Sequence, residues 1–457
     1  MALADIDTIV VVMMENRSFD HMLGYLSLAT TPSPLRVEGL SSDRAWLEKF
    51  SNPYEGNTFP PHRLDPAAMA VPDPPHDHAS IATQISTAPT GPGPVQMGGF
   101  VESYVRFSES PPPDPQIVMG YFDKEAVPTL DFFARNYCVC DHWFSAVPLG
   151  TQANRLMAMA GESLVLDNAE FLLPEQLLVY DWLTDHNVTW CAYQSGDFLP
   201  FFSLMPKWLL EMGASLTESS VSGGQGHFRR YARLRSEWRS SEPMPNVIFI
   251  EPEYTDGPHA SPNDDHPPTG IAAGQEFLAD IYDTLTSNPT RWAKTMLIVT
   301  YDEHGGFFDH LPPIPIPTTI QGQKLSTTGA RVPAFVISPY VVPGRVFTGP
   351  LDHTSILQVL DDRFGGGPGY SVAVNERQTS LNRLLNTLLA TQPNVPPRLP
   401  APATILARKQ ELPSAPNTAN ARALHKAASK FADDHPDLIA QPGWEKLREY
   451  LVVAPKP

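Results

Sequence analysis

The sequence predicts an α/β fold: a mostly parallel central sheet with helices on both faces and long, proline-rich loop insertions. Three observations lead there. Bounded, β-branched apolar runs such as Thr8–Met14 (TIVVVMM) and 296–301 (MLIVTY) have the continuous hydrophobicity of strands buried on both faces. Helix-like segments with caps and stops separate these runs, and strand–helix alternation of this kind builds parallel sheets. The 49 prolines cluster between the apolar runs rather than within them, which predicts stiffened loops over a regular scaffold. Ordered loops of that kind usually carry the substrate site.

Taken in order, Thr8–Met14 reads as a buried strand, and Ser18 caps a helix running through 22–26. Residues 29–100 are rich in Pro, Ser, Asp and Gly and read as a loop-rich insertion. Thr129 caps a helix over 130–137, and Thr151 opens the helix TQANRLMAMA, which Gly161 stops. Further helices are expected at 177–186, 271–286 and 353–364, and further strands at 188–193, 247–250, 296–301 and 332–337. The body is therefore expected to span 1–390 as one catalytic domain. Residues 391–457 then read as a Pro-rich linker followed by a helical appendage.

Composition narrows the partners. Apolar residues make up 42% of the 457-residue chain, as in a folded globular protein, and the net charge of −18 opposes nucleic acid and anionic membranes. A small anion would need local positive charge from a metal or an arginine. Cys138, Cys140 and Cys191 give no disulfide framework and read as buried thiols. No segment has the roughly 18 continuous apolar residues of a membrane span. The N-terminal apolar run has no basic residues before it. A complete chain would then be cytoplasmic, and a chain that has lost an export signal secreted or periplasmic.

Ligands of open α/β sheets bind beyond the carboxyl ends of the strands. Glu15-Asn16-Arg17-Ser18 follows the first strand, and Asp302-Glu303-His304-Gly305-Gly306 follows the strand at 296–301. The strand at 247–250 leads to Asp256, His259, Asp264, Asp265 and His266. Carboxylates gathered at one buried edge repel each other and call for a counter-charge. A hard divalent cation supplies it, with Asn16 as a neutral oxygen donor; helix capping and pairing with arginine are the plainer alternatives for Glu15 and Asp302. His304 or His310 would orient these carboxylates, with a structural hydrogen-bonding role as the plainer alternative. Thr151 is the candidate nucleophile, because the start of a helix favours a phosphate and a metal would activate the hydroxyl. A simple helix cap is the competing role. Asn154 and Arg155, one turn later, suit phosphoryl oxygens. His76 and His78 in PPHDHAS could donate a proton to a leaving group, and His353 opens a late helix as a hydrogen-bonder or a site residue. The chain has no G-x-S-x-G elbow, H-E-x-x-H helix, phosphate-binding G-x-x-x-x-G-K-[ST] loop or C-x-P-x-R segment, and the GGGPG at 365–369 lacks a preceding strand.

Several motifs together resemble one family. VVVMMENRSFDHMLG and TYDEHGGFFDH are highly specific, and PPHDHAS, QMGGF, CDHWFSAVPLGTQANR, NDDHPP and LDHTSIL follow in the right order over roughly 5–390. The sequence resembles the bacterial phosphoesterase family of phospholipases C and acid phosphatases, within the alkaline-phosphatase-like superfamily. The resemblance implies an alkaline-phosphatase-like fold and a metal-dependent hydrolase of phosphoric esters acting through a covalent phospho-threonine. It makes Glu15, Asn16, Asp302, Glu303 and Thr151 the ligands of a divalent metal, with Thr151 also the nucleophile. Asn154, Arg155 and His353 would bind substrate, and His76 and His266 would hold phosphoryl oxygens or protonate the leaving group. Two departures stand near the nucleophile: Pro148-Leu149-Gly150-Thr151 replaces the family's G-P-T, and Ala153 replaces a proline. No β-rich C-terminal extension or leader is visible, which tilts the expected substrate toward a soluble phosphate monoester. A phospholipid headgroup diester is the alternative, and a non-catalytic metal-containing binding protein is the alternative of another class.

Overall fold

The computed structural model describes residues 2–29, 35–65, 71–85, 97–168, 173–196, 205, 207–208, 211, 226–254, 262–367, 369–400, 419–441 and 444–453. Its central sheet has eight strands: β1 (Thr8–Met14), β2 (Cys138–Cys140), β3 (Trp190–Gln194), β4 (Phe228–Arg230), β5 (Val247–Glu251), β6 (Thr295–Tyr301), β7 (Ala334–Ile337) and β8 (Arg345–Phe347). Across the sheet they run β8-β2-β7-β6-β1-β5-β3-β4. Every pairing is parallel except the two made by β7. The expected α/β class and mostly parallel sheet are thus borne out. All residues of β1, β5 and β6 are buried, as their unbroken apolar sequences require of central strands.

The helices used below are α1 (Phe19–Leu23), α2 (His78–Gln84), α3 (Phe100–Phe107), α4 (Pro128–Asn136), α5 (Thr151–Ala160), α6 (Ala272–Thr286), α7 (Thr354–Leu360), α8 (Ala419–Asp434), α9 (Pro436–Ile439) and α10 (Glu445–Val453). On one face of the sheet, Val11, Met13, Phe249 and Glu251 share a cavity of about 20 Å³ with Ala158 and Met159 of α5 and Ile356 of α7. Phe133 of α4 meets Phe335 of β7 edge-on at 5.9 Å, and α4 packs in turn on Tyr282 of α6. Register aligns Phe335 with Val299 and Val299 with Val12, the set that points away from Val11. Helices therefore cover both faces.

Some elements differ from expectation. β2, β4 and β8 are three residues each, too short to show a period in sequence. The helix expected from a Thr129 cap starts instead at Pro128, whose fixed φ suits the first helical position. Thr129 uses its backbone N–H and its hydroxyl on Gln275 of α6. The insertion is more ordered than its composition suggests. It holds the helix Arg44–Phe50 capped by Asp43, a hairpin pairing Asn52–Tyr54 with Asn57–Phe59, and α2 capped by Asp77. The three cysteines are buried free thiols. At the C-terminal end, Phe431 of α8 and Trp444 stack at 5.8 Å, within the same buried apolar cluster as the sheet. Among the described residues no helix is long and apolar enough to cross a membrane.

A buried ionic latch joins the turn after β1 to the one after β6. Arg331 donates to Asp309 Oδ1 (2.9 Å), Asp20 Oδ1 (3.2 Å) and the carbonyls of Glu38 (2.6 Å) and Asp141 (2.8 Å). Asp20 N donates to Asp309 Oδ2 (3.1 Å), and His310 pairs with Asp20 Oδ2 (2.6 Å). His310 therefore serves this latch and not the acidic pairs it was expected to orient. Removing the arginine would leave Asp309 without its charge partner and Asp20 with His310 alone. Arg331→Met is expected to lower the unfolding free energy by about 3–5 kcal/mol in urea titration. A loss below about 1 kcal/mol, the size of a surface ion pair, would show that the latch bears little load.

Candidate active site

Strands β6, β1 and β5 lie side by side and parallel, so their carboxyl ends open on one edge. Register sets Met14 beside Tyr301, which brings Glu15 level with Asp302. The two turns are then stitched together. Asp302 N donates to Met14 O (3.0 Å), Asn16 N to Asp302 Oδ1 (3.0 Å) and Arg17 N to Glu303 O (3.1 Å). Asn16 adopts a left-handed φ of 56° and Gly305 one of 63°. A Cβ on Gly305 would fall 2.2 Å from the Asn16 carbonyl oxygen, so the turns interlock only around a glycine. The loop after β5 joins them, with Glu15 N donating to Asp264 O at 2.8 Å. Asp256 and His259 of that loop lie outside the described residues.

The edge is buried and acidic. Glu15 is 1% exposed, and Asp302 and Glu303 are 0% exposed. Arg155 of α5 reaches into this charge, 3.1 Å from Glu15 Oε1, 3.5 Å from Asp302 Oδ2 and 3.6 Å from Glu251 Oε2. It also donates to Tyr254 Oη (3.0 Å) and Met13 O (3.3 Å). Burial alone would depress its pKa, but Tyr254 and then the carboxylates outweigh that and hold it above the ordinary value. Arg155, expected to meet substrate, is here the counter-charge of these buried carboxylates.

Two more expected substrate contacts are placed differently. Asn154 donates from Nδ2 to the carbonyls of Val147 (3.1 Å), Leu149 (2.6 Å) and Gly150 (3.3 Å), and its Oδ1 accepts from Val147 N (3.0 Å). Its amide therefore shapes the turn that delivers Thr151. His353 accepts from Trp143 Nε1 at 3.1 Å and donates from Nε2 to Asp302 O at 2.5 Å. Both ring nitrogens are engaged, burial lowers its pKa, and it acts as a neutral pin under Asp302.

Thr151 stands at the first position of α5 behind Gly150, and its side chain is buried. His76 brings Nε2 to 3.3 Å from Asn16 Nδ2 and 3.8 Å from Glu303 Oε1. Burial would lower its pKa, but Glu303 and then Asp73 hold it up at about 9. Burial likewise pushes Glu303 up to about 8, against His76 and with Asp302. Both groups thus keep a proton to higher pH than usual. His266 is buried, with its ring centroid 6.0 Å from that of His76. His304 bonds Gln84 Oε1 at 2.7 Å and lies 3.4 Å from Glu303 Oε2, and burial lowers its pKa to about 3. His78 faces away, against Pro148 O and Gln323.

The donor set can be tested against a hard cation. Asn16 Oδ1, Thr151 Oγ1, Asp302 Oδ2 and Glu303 Oε1 are each buried without a hydrogen-bond partner among the described residues. Orphaned buried oxygens are costly, and a cation with oxygen ligands would satisfy them. All four belong to residues that sequence reasoning grouped as ligands. Two three-residue clusters with ligand atoms within 4.8 Å of one another also occur: Asp73, His76 and His266, and Asp20, Asp309 and His310. The second is the ionic latch. Sequence reasoning missed Asp73, Gln84, Glu251 and Tyr254. Of these, Asp73 shows only as an acidic residue three before His76, and Gln84 has no sequence signal.

Comparisons with known proteins follow this geometry. A profile described as the Phosphoesterase family matches residues 6–366. Non-specific phospholipase C1 of Arabidopsis thaliana is 32% identical over 366 residues, covering 76% of this chain and 64% of that protein. Non-specific phospholipase C3 of the same plant is 29% identical, covering 90% and 77%. Phospholipase C A of Mycobacterium tuberculosis (strain ATCC 25618 / H37Rv) is 26% identical, covering 79% and 74%. The chain thus spans just under two thirds of the first relative's length. A crystal structure of murine ectonucleotide pyrophosphatase / phosphodiesterase 5 overlaps 56% of this chain and 95% of its own at 10% identity and a TM-score of 0.34, a likeness too slight to carry any argument.

The interlocked turns make a specific demand. Gly322 has a φ of +80° with nothing near its missing Cβ, whereas Gly305 has backbone at 2.2 Å. Gly305→Ala is expected to destabilise the protein by about 1–3 kcal/mol more than Gly322→Ala, read by chemical denaturation. Equal losses would mean that the turns are free to separate.

Proposed function

We propose that this chain, which belongs to the phosphoesterase family, hydrolyses phosphoric esters through Thr151 with the help of a divalent cation. The observation that carries the reading is the set of buried oxygens without hydrogen bonds on Asn16, Thr151, Asp302 and Glu303, which stand at two strand ends and the start of α5. Glu15, Asn16, Asp302, Glu303 and Thr151 would hold the cation, which would lower the hydroxyl pKa and offset charge on the phosphoryl group. Arg155 pairs with Glu15 and Asp302, and His353 fixes the Asp302 backbone. Asn154 sets the turn that aims Thr151, and the dipole of α5 would favour a phosphoryl group beside its first residue.

In the first step Thr151 Oγ gives up its proton to solvent and bonds to phosphorus as the bond to the leaving alcohol breaks. His76 or His266 supplies the proton that the leaving oxygen takes up. In the second step water attacks the phospho-threonine, the histidine regains a proton from that water, and Thr151 Oγ takes a proton back from solvent as it is released with phosphate or a phosphomonoester. Positioning and fixed charge carry most of the rate.

The substrate class has two readings. The relatives above bear phospholipase C names, which favours a diester with a lipid or choline-like alcohol. The soluble monoester expected from sequence is the second reading, and the acidic net charge of −18 favours it over an anionic lipid surface.

Hydrolysis of p-nitrophenyl phosphate and p-nitrophenyl phosphorylcholine tests both readings. Thr151→Ala is expected to lose about 10³-fold or more of kcat on the preferred ester. Chelation is expected to abolish turnover, and adding a divalent cation back to restore it. Activity that persists in Thr151→Ala would remove Thr151 as nucleophile. A cation-loaded protein that turns over neither ester would favour a binding protein. Asp302→Asn is expected to weaken cation affinity, measured by titration calorimetry, by at least roughly tenfold; unchanged affinity would place the cation elsewhere.

A further inference from the structure

We propose that Asp73 is a positioning residue that holds the His76 and His266 rings together over the acidic edge. The proposal rests on the site reading above. The two histidines come from different parts of the fold, His76 from the insertion before α2 and His266 from the loop after β5. Something has to fix their mutual geometry, and Asp73 is a charged side chain within reach of both. Its Oδ1 lies 3.7 Å from His76 Nδ1, and ligand-type atoms of Asp73, His76 and His266 all fall within 4.8 Å of one another. The rings stand edge to face at 77°.

The turn that carries Asp73 is clamped from behind. Gln84 Nε2 donates to Pro75 O (2.8 Å) and to Ser103 Oγ (3.1 Å), while Gln84 Oε1 accepts from His304 (2.7 Å). Gly306, at a φ of +74°, leaves room for the turn: a Cβ there would meet Pro74 at 2.8 Å and Pro75 O at 2.9 Å. Gly150, next to the nucleophile, would place a Cβ 3.3 Å from His76 O. With the backbone fixed, the Asp73 side chain is 23% exposed and the His76 side chain 12%, at the mouth of the site, while His266 is fully buried. Each histidine also bonds a neighbouring carbonyl through Nδ1, His76 to Pro74 O at 2.7 Å and His266 to Pro267 O. His76 Nε2 also faces Asn16 Nδ2 at 3.3 Å. A carboxylate within reach of both rings gives these separately held rings one common anchor, as the carboxylate partners of ligand histidines do.

The test compares leaving groups. Wild type and Asp73→Asn are assayed on p-nitrophenyl and n-hexyl esters of phosphate and of phosphocholine. p-Nitrophenolate leaves with little help, whereas an alkoxide needs a well-placed proton donor. Asp73→Asn is expected to lower kcat on the hexyl esters by roughly tenfold to a hundredfold and to leave KM unchanged. The p-nitrophenyl esters should stay within about threefold. A uniform loss on both ester types, or a change in KM alone, would overturn the proposal. The second readout needs no turnover: the imidazole ¹⁵N–¹H spectra, assigned with His76→Gln and His266→Gln. Asp73→Asn is expected to shift both rings while Arg63→Gln, a surface control, shifts neither. Unshifted rings would overturn the positioning role even if the protein hydrolyses esters. A protein without turnover whose rings shift would retain the role and lose the hydrolase reading. Metal analysis closes the remaining route, because two bound cations falling to one in Asp73→Asn would make the three residues a cation site and overturn the proposal.

Discussion

Everything at the carboxyl edge of the sheet answers to one electrostatic problem, the burial of Glu15, Glu251, Asp302 and Glu303 close together. Like charges at such separations in a poorly solvated interior repel by several kcal/mol unless compensated. The fold compensates from several directions. Arg155 enters from α5 and touches three of the four carboxylates, and His76 enters from the insertion beside the fourth. Backbone N–H groups take the rest, with Asn16 and Glu303 donating to Asp302 and Gly305 to Glu303. The oxygens left without hydrogen bonds are those that a cation and a phosphoryl group would use.

Solving that problem requires rigidity, which the structure obtains by close backbone approach. Gly305 lets the turn after β6 sit on the turn after β1, and Gly306 lets the Pro74–Pro75 turn sit on both. The latch centred on Arg331 ties the far ends of the same two turns together, so each is held at both ends. Fixed dipoles and charges of this kind need no rearrangement during a reaction, which makes the edge suited to electrostatic stabilisation. The histidines then approach from two separate segments, the insertion and the loop after β5. That is why their alignment depends on contacts such as those of Asp73 and Gln84.

Much of this was legible in sequence. The unbroken apolar runs marked β1, β5 and β6, because a strand buried on both faces cannot tolerate polar residues. Their parallel order then placed Glu15, Asn16, Asp302 and Glu303 on one edge. The family motifs pointed to Thr151, His76 and His266, all of which lie at or near that edge. The protein contacts of each side chain were less legible. Asn154 and Arg155 follow the nucleophile in a pattern that suggests phosphate contact, yet one shapes a turn and the other compensates carboxylates. His353 proved a neutral pin under Asp302, and His310 belongs to the latch. β2, β4 and β8 carry too few residues for any period to show.

The sequence by itself determined the class of fold, the edge where the chemistry gathers and the identity of most groups there. Those follow from local rules: hydrophobic period, strand direction and the residues that end each strand. Only the tertiary structure decided what each polar side chain does. A guanidinium or imidazole is versatile, and its role depends on which distant groups surround it and how many of its hydrogen bonds they use. Arg155 is a counter-ion because β1, β5 and β6 bring three carboxylates around it, and Asp73 matters because the insertion folds back onto the loop after β5. Neither relation is local, so neither leaves a pattern along the chain.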